Sequence, residues 1–394
     1  MPSGDPRDLR RRLSLFSAIL FAMPGIFLPY WPLWLRGRGL DDESIGLLLA
    51  AGVWTRLVIA PMVARAADTR IEHRDLLALL GVLVFAGFAL HIGATSMPAL
   101  FALSIVCGSL FAAIMPLTDS LTLLCASAHD LEYGEIRRWG SVAFVLTTLG
   151  AGVLIRGHSP ERVLYLLLVP LGIFALATRI LPRAPRAPSE RKGPSPPFWS
   201  LLRVPWFALF LAVGALIYAS HGMLNGFSSL HWKSLGIEED TIGVLWVVGV
   251  VAEIAVFSAG AVLLRRLRPL QIATFAAIAC VIRWVGLSVA VDLPTILALQ
   301  ALHGLTFGAV HFAAMHVIHR GMPAQLSATA QSLFAAASGG LGFGGGYWIA
   351  GRLYASVGAQ GYLAMAGLAA AAVGLLVLLD RRWPDPRADA PGDA

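Results

Sequence analysis

Residues 36–53 read RGRGLDDESIGLLLAAGV, and residues 233–250 read KSLGIEEDTIGVLWVVGV. The second stretch follows the first by 197 positions, half the length of the 394-residue chain. Without a gap, Arg36 falls on Lys233, Gly39 on Gly236, and Asp41-Asp42-Glu43 on Glu238-Glu239-Asp240. Ser44-Ile45-Gly46 falls on Thr241-Ile242-Gly243, and Leu48, Gly52 and Val53 fall on Leu245, Gly249 and Val250. Chance similarity between apolar segments does not bring acidic, basic and glycine positions into step. The acidic residues around Ser44 and Thr241 suit the cap and first turn of a helix, where the dipole is positive. The glycines that follow let such helices pack closely. A second match, offset by 196, sets Pro98, Gly108, Phe111 and Ala113 on Pro294, Gly304, Phe307 and Ala309. The two halves of the chain are copies of one unit.

Composition gives the solvent of that unit. Apolar residues make up 57% and charged residues 13%, against about 25% charged in soluble domains. Mean hydropathy is +0.73. That much apolar surface calls for a bilayer. Twelve stretches reach the roughly 20 residues that a spanning helix needs. They lie near 13–35, 44–64, 75–95, 98–125, 139–156, 161–181, 204–230, 241–264, 270–290, 294–318, 328–352 and 359–380. None alternates with period two, so an all-α membrane protein is expected and not a barrel. Arg10-Arg11-Arg12 before the first run resembles the start of a signal peptide. Pro24, Pro29, Trp31 and Pro32 follow where a cleavage site would stand, so the span is read as retained. Cys107, Cys125 and Cys280 lie in apolar runs and read as reduced. The pI of about 9.8 does not point to nucleic acid, because the basic residues sit between the apolar runs.

Their distribution predicts orientation. With the N-terminus inside, inner segments hold 22 Lys and Arg and outer segments 6. Both termini are then cytoplasmic, in a bacterial inner membrane. The predicted organisation is an N-terminal six-helix bundle (1–181), a Pro-rich basic cytoplasmic linker (182–203), and a C-terminal six-helix bundle with a short tail (204–394). Two such halves repeated in parallel are the layout of rocking-bundle transporters.

Ionisable residues inside spans cost about 2.5–3.5 kcal/mol each, which makes them candidate site residues. Arg56 lies about 18 Å into span two, at 1.5 Å per residue. Its repeat partner is Glu253 in span eight, so matched positions carry opposite charge. Asp119 lies in span four and Arg283 in span nine. His221 and Asn225, four apart in span seven, share a face. His303 and His311 of span ten lie roughly 80° apart on a regular helix and can face one cavity. Structural ion pairing is the alternative for the four charged positions. His91 reads as interfacial, at an outer end, and His316 and His319 as solvated near the inner interface. Metal ligation by the span-ten histidines is disfavoured, since they lack an i,i+4 pair and an accompanying carboxylate or cysteine. Gly340, Gly342 and Gly345 match G-x-G-x-x-G, but no strand precedes them, and close helix packing is the preferred reading.

The chain resembles the 3-phenylpropionic acid permease group of the major facilitator superfamily, which is related to lactose and nucleoside proton symporters. The residues that carry the likeness are Gly25-Ile26-Phe27-Leu28-Pro29 with Trp31, Trp34 and Leu35; Gly39-Leu40 with Ile45-Gly46-Leu47-Leu48; Pro116-Leu117-Thr118-Asp119; Tyr133-Gly134 with Arg137 and Trp139-Gly140-Ser141-Val142-Ala143-Phe144; Gly249-Val250-Val251-Ala252-Glu253; and Val281-Ile282-Arg283-Trp284. His303, and His311 with Ala313-Ala314-Met315, also resemble that group. Glu253, Arg283 and the span-ten histidines form part of a lactose-permease-like constellation, without the span-ten carboxylate. From the superfamily motif after span two, only Asp68 with Arg65, Arg70 and Arg74 remains.

The expected function is proton-coupled symport of a small organic anion by alternating access. The resemblance implies an aromatic carboxylate such as 3-phenylpropionate. Arginine holds carboxylates bidentately, and aromatic side chains hold a ring. Arg56 and Arg283 are the expected anion-binding residues, with His221, Asn225, His303 and His311 lining the cavity. Glu253 and Asp119 are the expected proton sites, because desolvation makes a carboxylate easier to protonate. A neutral sugar or nucleoside symporter is the alternative, and a non-transporting membrane scaffold or assembly factor a second. No nucleophile motif or Walker loop is present, so an enzyme or ATP-driven pump is not expected. The expected partners are the small-molecule substrate, protons and lipid, with no cofactor, metal or nucleic acid, and the chain is expected to act as a monomer.

Overall fold

A computed structural model describes residues 5–69, 71–183 and 199–383. Arg70, the 184–198 part of the expected linker and the tail beyond 383 lie outside the described residues, as does the side chain of Asp68. Among the described residues the elements are helical, with no strand. The helices of the first half are α1 (Pro6–Gly37), α2 (Asp42–Thr69), α3 (His73–Leu90), α4 (Met97–Ala128), α5 (Tyr133–Ile155) and α6 (Glu161–Ala177). In the second half the long rods are α7 (Pro205–Ser234), α8 (Glu239–Ser258), α9 (Pro269–Leu287) and α10 (Leu293–Gly321). α11 runs over 324–357, and α12 over Gly361–Asp380. Eleven described stretches are long and apolar enough to cross a bilayer, and the last of them, Gln325–Asp380, contains the 3-10 turn Gly358–Gln360. That turn divides α11 from α12.

The chain forms two compact units, Met1–Glu190 with Ser228–Val247 and Arg191–Phe227 with Val248–Ala394. Inside the first unit α1 packs on α5 and α6, and α3 packs on α4 and α6. Inside the second, α7 packs on α11 and α12, and α9 packs on α10 and α12. These are the same four pairings, one half-chain on. All three cysteines are free and buried.

The repeat extends to single bonds. Gly39 and Gly236 end α1 and α7 with φ of 87° and 83°, a left-handed conformation that L side chains avoid. Leu40 N–H donates to Leu35 O at 3.2 Å, and Ile237 N–H donates to Trp232 O at 3.0 Å. Arg36 pairs with Asp42, and Lys233 pairs with Glu239. Thus the basic residue at the end of one helix meets the acid that opens the next, twice, at matched positions.

The segment 228–247 joins the first unit through Tyr30. The Tyr30 hydroxyl lies 2.9 Å from Thr148 O and 3.2 Å from Glu239 O. Gly152 leaves no room for a Cβ, which would stand 2.5 Å from Glu239 O and 2.6 Å from the Tyr30 hydroxyl oxygen. Arg156 of α5 pairs with Asp240 at 2.7 Å.

His91 departs from its expected interfacial place. It is fully buried against Trp31, Trp34 and Phe88. Its Nδ1 donates to Gly87 O at 2.9 Å, and its Nε2 lies 3.1 Å from Ser104 Oγ. Both ring nitrogens are satisfied inside the unit, so burial leaves no unpaired polar atom there.

A Cβ at Gly39 or at Gly236 meets nothing within 4 Å, so alanine there acts only through the backbone. Gly39→Ala and Gly236→Ala are each expected to cost about 1–2 kcal/mol from the left-handed φ. Thermal unfolding in detergent checks this, with two downward shifts of similar size.

Candidate functional site

In the second unit His303 bonds Arg283, and His221 packs beside them. α9 is apolar over most of its length, and its middle turn carries Cys280, Arg283 and Trp284 inward. Arg283 is fully buried. Its Nη1 donates to His303 Nδ1 at 3.0 Å and to Thr306 Oγ1 at 2.9 Å, and its Nη2 donates to Gln300 Oε1. Guanidinium nitrogens donate only, so His303 Nδ1 carries its lone pair here. Thr306 in turn donates to His303 O at 3.3 Å. All three acceptors are neutral groups of α10. Among the described residues no carboxylate pairs with Arg283, and its Nε has no hydrogen-bond partner.

Local irregularities place these groups. α10 has a π-turn at Gly304–Gly308, a device that inserts a residue and re-aims side chains. Around it α8 comes very close. A Cβ at Gly304 would collide with Ala252 O, one at Gly308 would sit 3.0 Å from Glu253 Cγ, and one at Gly249 would sit 3.3 Å from the His303 ring. Glu253 is therefore held, half-buried, against the same turn that carries Thr306.

α7 breaks at His221, between Pro205–Ser220 and Gly222–Ser234. His221 is fully buried. Its Nδ1 donates to Ile217 O at 2.8 Å, while its Nε2 has no partner. Asn225 Nδ2 closes the break by donating to His221 O at 3.1 Å. The ring of His221 stands 4.9 Å from Trp284, 5.6 Å from Phe307 and 6.1 Å from His303, centroid to centroid. Phe307 stacks on His303 at 5.4 Å and borders Tyr218 at 5.3 Å. Trp284 Nε1 donates to Ser220 Oγ at 3.1 Å, and the Arg283 guanidinium carbon lies 5.0 Å from the Trp284 ring centre. Below the break, the glycine run of α11 lies on α7. A Cβ at Gly342 would stand 2.6 Å from Ala215 O, and Gly346 leaves as little room at Ala219 O.

The cluster combines a buried cation, neutral acceptors, two orphaned polar nitrogens and an aromatic wall. It can hold an anion whose body is apolar. His303 is the partly accessible member of the Arg283–His303 pair. His311 lies beyond the π-turn, exposed, with Nδ1 3.4 Å from the Tyr218 hydroxyl oxygen.

Arg56 and Asp119 belong to the first unit. Arg56 is exposed on α2, with no ion pair or hydrogen bond among the described residues. Asp119 accepts from the Tyr133 hydroxyl at 3.0 Å. Arg137, one turn along α5 from Tyr133, lies over the Phe21 ring at 3.5 Å. The Tyr-Gly…Arg-x-Trp-Gly-Ser run thus joins α5 to α4 and α1. The sequence did not single out Thr306, Ser220 or Tyr218, and it marked Phe307 only as a repeat position. Thr306 lies three residues after His303 and Tyr218 three before His221, so helical spacing from a known site residue is the signal that finds them.

Residues 10–376 match the model of the MFS_1 like family. The chain is 35% identical to the probable 3-phenylpropionic acid transporter of Escherichia coli over 319 residues, covering 78% of this chain and 82% of the relative. It is 27% identical to the maltose permease of Geobacillus stearothermophilus, covering 83% of each. The fold is similar to a crystal structure of a variant of the nucleoside transporter NupG, with a TM-score of 0.86 at 15% identity over 94% of this chain and 99% of that one. It is also similar to the D-xylose–proton symporter, with a TM-score of 0.68 at 15% identity over 98% and 99%.

Because no carboxylate among the described residues pairs with Arg283, neutralising it removes a buried charge without stranding another. Arg283→Gln is expected to leave the folded protein intact, with a melting temperature equal to or above that of the wild type. A large fall in the melting temperature of the purified variant would instead mark the guanidinium as a structural strut.

Proposed function

We propose that this chain, which belongs to the MFS_1 like family of multi-pass membrane transporters, imports a small organic anion together with protons. The substrate class is an aromatic carboxylate such as 3-phenylpropionate, carried by alternating access into the cytoplasm of a bacterium, with the two six-helix halves and both termini arranged as the charge bias expects. The observation that carries this reading is the fully buried Arg283 guanidinium, held by three neutral acceptors and by no carboxylate among the described residues. Removing a cation from water costs several kcal/mol unless an anion accompanies it. The missing anion is the substrate carboxylate in this reading, and the orphaned Arg283 Nε is a donor for it. Trp284, Phe307 and Tyr218 supply faces for an aromatic ring. His221, His303, Asn225 and His311 line the path, and Arg56 is a second cation for the anion to meet.

Glu253 and Asp119 are the proposed proton sites. Glu253 supports this role by position: it lies against the π-turn that carries Thr306 and follows His303, so a change in its charge is felt by the partners of Arg283. Asp119 is held by Tyr133 and serves the first half. A neutral sugar or nucleoside is the second reading. The 27% identity to a maltose permease favours it, and in it the acids and Asn225 would bind hydroxyl groups.

Uptake into proteoliposomes tests both readings. Labelled 3-phenylpropionate is expected to accumulate only with an inward proton gradient, and benzoate-like acids, not sugars, should compete. Losing the charged donor in Arg283→Gln should weaken substrate binding roughly 10–100-fold, from about 1.5–3 kcal/mol per charged hydrogen bond. Glu253→Gln, fixed in the protonated form, should lose uphill accumulation and keep counterflow exchange. Normal gradient-driven uptake by Glu253→Gln removes that residue from coupling, and competition by sugars alone overturns the anion.

A further inference from the structure

α1 and α5 run parallel and begin at the same end of the first unit, as the Arg10–Glu135 pair and the Tyr30–Thr148 bond show in turn along them. Both helix dipoles are positive at that end. A groove of about 660 Å³ lies there, lined by Asp8, Arg10, Arg11, Arg12, Arg138 and Trp139 among others. Two of its cations are already neutralised: Arg10 pairs with Glu135 at 3.0 Å and Arg12 with Asp8 at 2.6 Å. Arg11 and Arg138 are exposed and have no ion pair or hydrogen bond among the described residues. The groove therefore keeps two free guanidinium groups beside two helix N-termini.

Leu15, Ala18 and Trp139 are the apolar side chains of the lining. Leu15 is 55% exposed and Trp139 48% exposed. From Trp139 the exposed side chains Val142 and Leu146 follow at i+3 and i+7, so they continue the same face of α5. A small soluble anion would use the arginines and leave this strip bare. A molecule with a phosphate at one end and hydrocarbon at the other would use both. Tryptophan beside arginine is also the pairing expected at the depth of lipid headgroups.

We propose that this groove is a binding site for an anionic phospholipid. The headgroup phosphate accepts from Arg11 and Arg138, and the acyl chains run along Trp139, Val142 and Leu146. Guanidinium suits this role because its planar fork pairs with two phosphate oxygens at once. The site is independent of the transported substrate and of the residues around Arg283.

Native mass spectrometry of the protein released from bilayers of phosphatidylglycerol and phosphatidylcholine tests the assignment. The wild type is expected to retain phosphatidylglycerol in preference to phosphatidylcholine, and millimolar glycerol 3-phosphate should not displace it. Arg11→Gln with Arg138→Gln should lower that retention about 30-fold, the factor that two interfacial arginines carry toward anionic lipid. Arg11→Lys with Arg138→Lys keeps the charge but not the fork and should restore part of it, which separates lipid binding from misfolding. Arg265→Gln with Arg266→Gln removes the same charge from another exposed pair, in the last turn of the helix Gly260–Arg266, and should lower retention much less. Unaltered retention in the Arg11/Arg138 glutamine variant overturns the site. So does an equal loss in the Arg265/Arg266 variant, which would mean diffuse attraction. Displacement by glycerol 3-phosphate would mean a free phosphate site and would overturn it as well.

Discussion

The Arg283 guanidinium is hydrogen-bonded to His303, Thr306 and Gln300 and sealed from solvent, with no carboxylate paired to it among the described residues. Much of the second half is arranged to keep it so. The π-turn at Gly304–Gly308 brings Thr306 and His303 to one side of the charge. Gly249 and Gly304 let α8 approach that turn at backbone distance. The break of α7 at His221 supplies a second buried imidazole, and Trp284 anchors it through Ser220. In hydrocarbon each of these polar atoms must find its partner within the chain. The ones left over, Arg283 Nε and His221 Nε2, are therefore informative. In the proposed function they are the donors and acceptors left for a ligand.

The first half carries its charges differently. Asp119 is partnered by Tyr133 and sits near Arg137, whereas Arg56 is exposed on α2. The two halves share one set of helix pairings and differ in the charged side chains set on it. The scaffolding itself does not differ: the left-handed glycines, the Arg36–Asp42 and Lys233–Glu239 pairs and four helix pairings recur at matched positions. Outside the membrane-spanning stretches, Asp41 shows how such caps are tuned. Hydrogen bonds from Ser44 hold its carboxyl below the ordinary range, which keeps it charged at the start of α2.

What the sequence made legible follows from the kind of letter each feature uses. The repeat was readable because acids, bases and glycines stand in step, and those residue types are chosen by caps and close approaches. Arg283 was readable because an ionisable residue in an apolar run is costly wherever it points. The π-turn was not: Gly304 and Gly308 leave room for α8, but a glycine in a span signals close packing and does not by itself specify a π-turn. Neither was the Tyr30–Glu239 bond, whose acceptor is a backbone carbonyl common to every residue. His91 was misplaced for a related reason. Its position near a helix end suggested the interface, while its cage of Trp31, Trp34 and Phe88 comes from two helices that the linear pattern does not bring together.

A negative charge is the group proposed to complete the surroundings of Arg283. Calorimetric titration of the purified protein with 3-phenylpropionate and with 3-phenylpropionamide asks this directly, because the two differ in charge and hardly in shape. Losing a charged hydrogen bond of about 1.5–3 kcal/mol should make the amide bind at least about tenfold more weakly than the acid. Equal affinities for the acid and the amide would contradict an anion-binding role for Arg283.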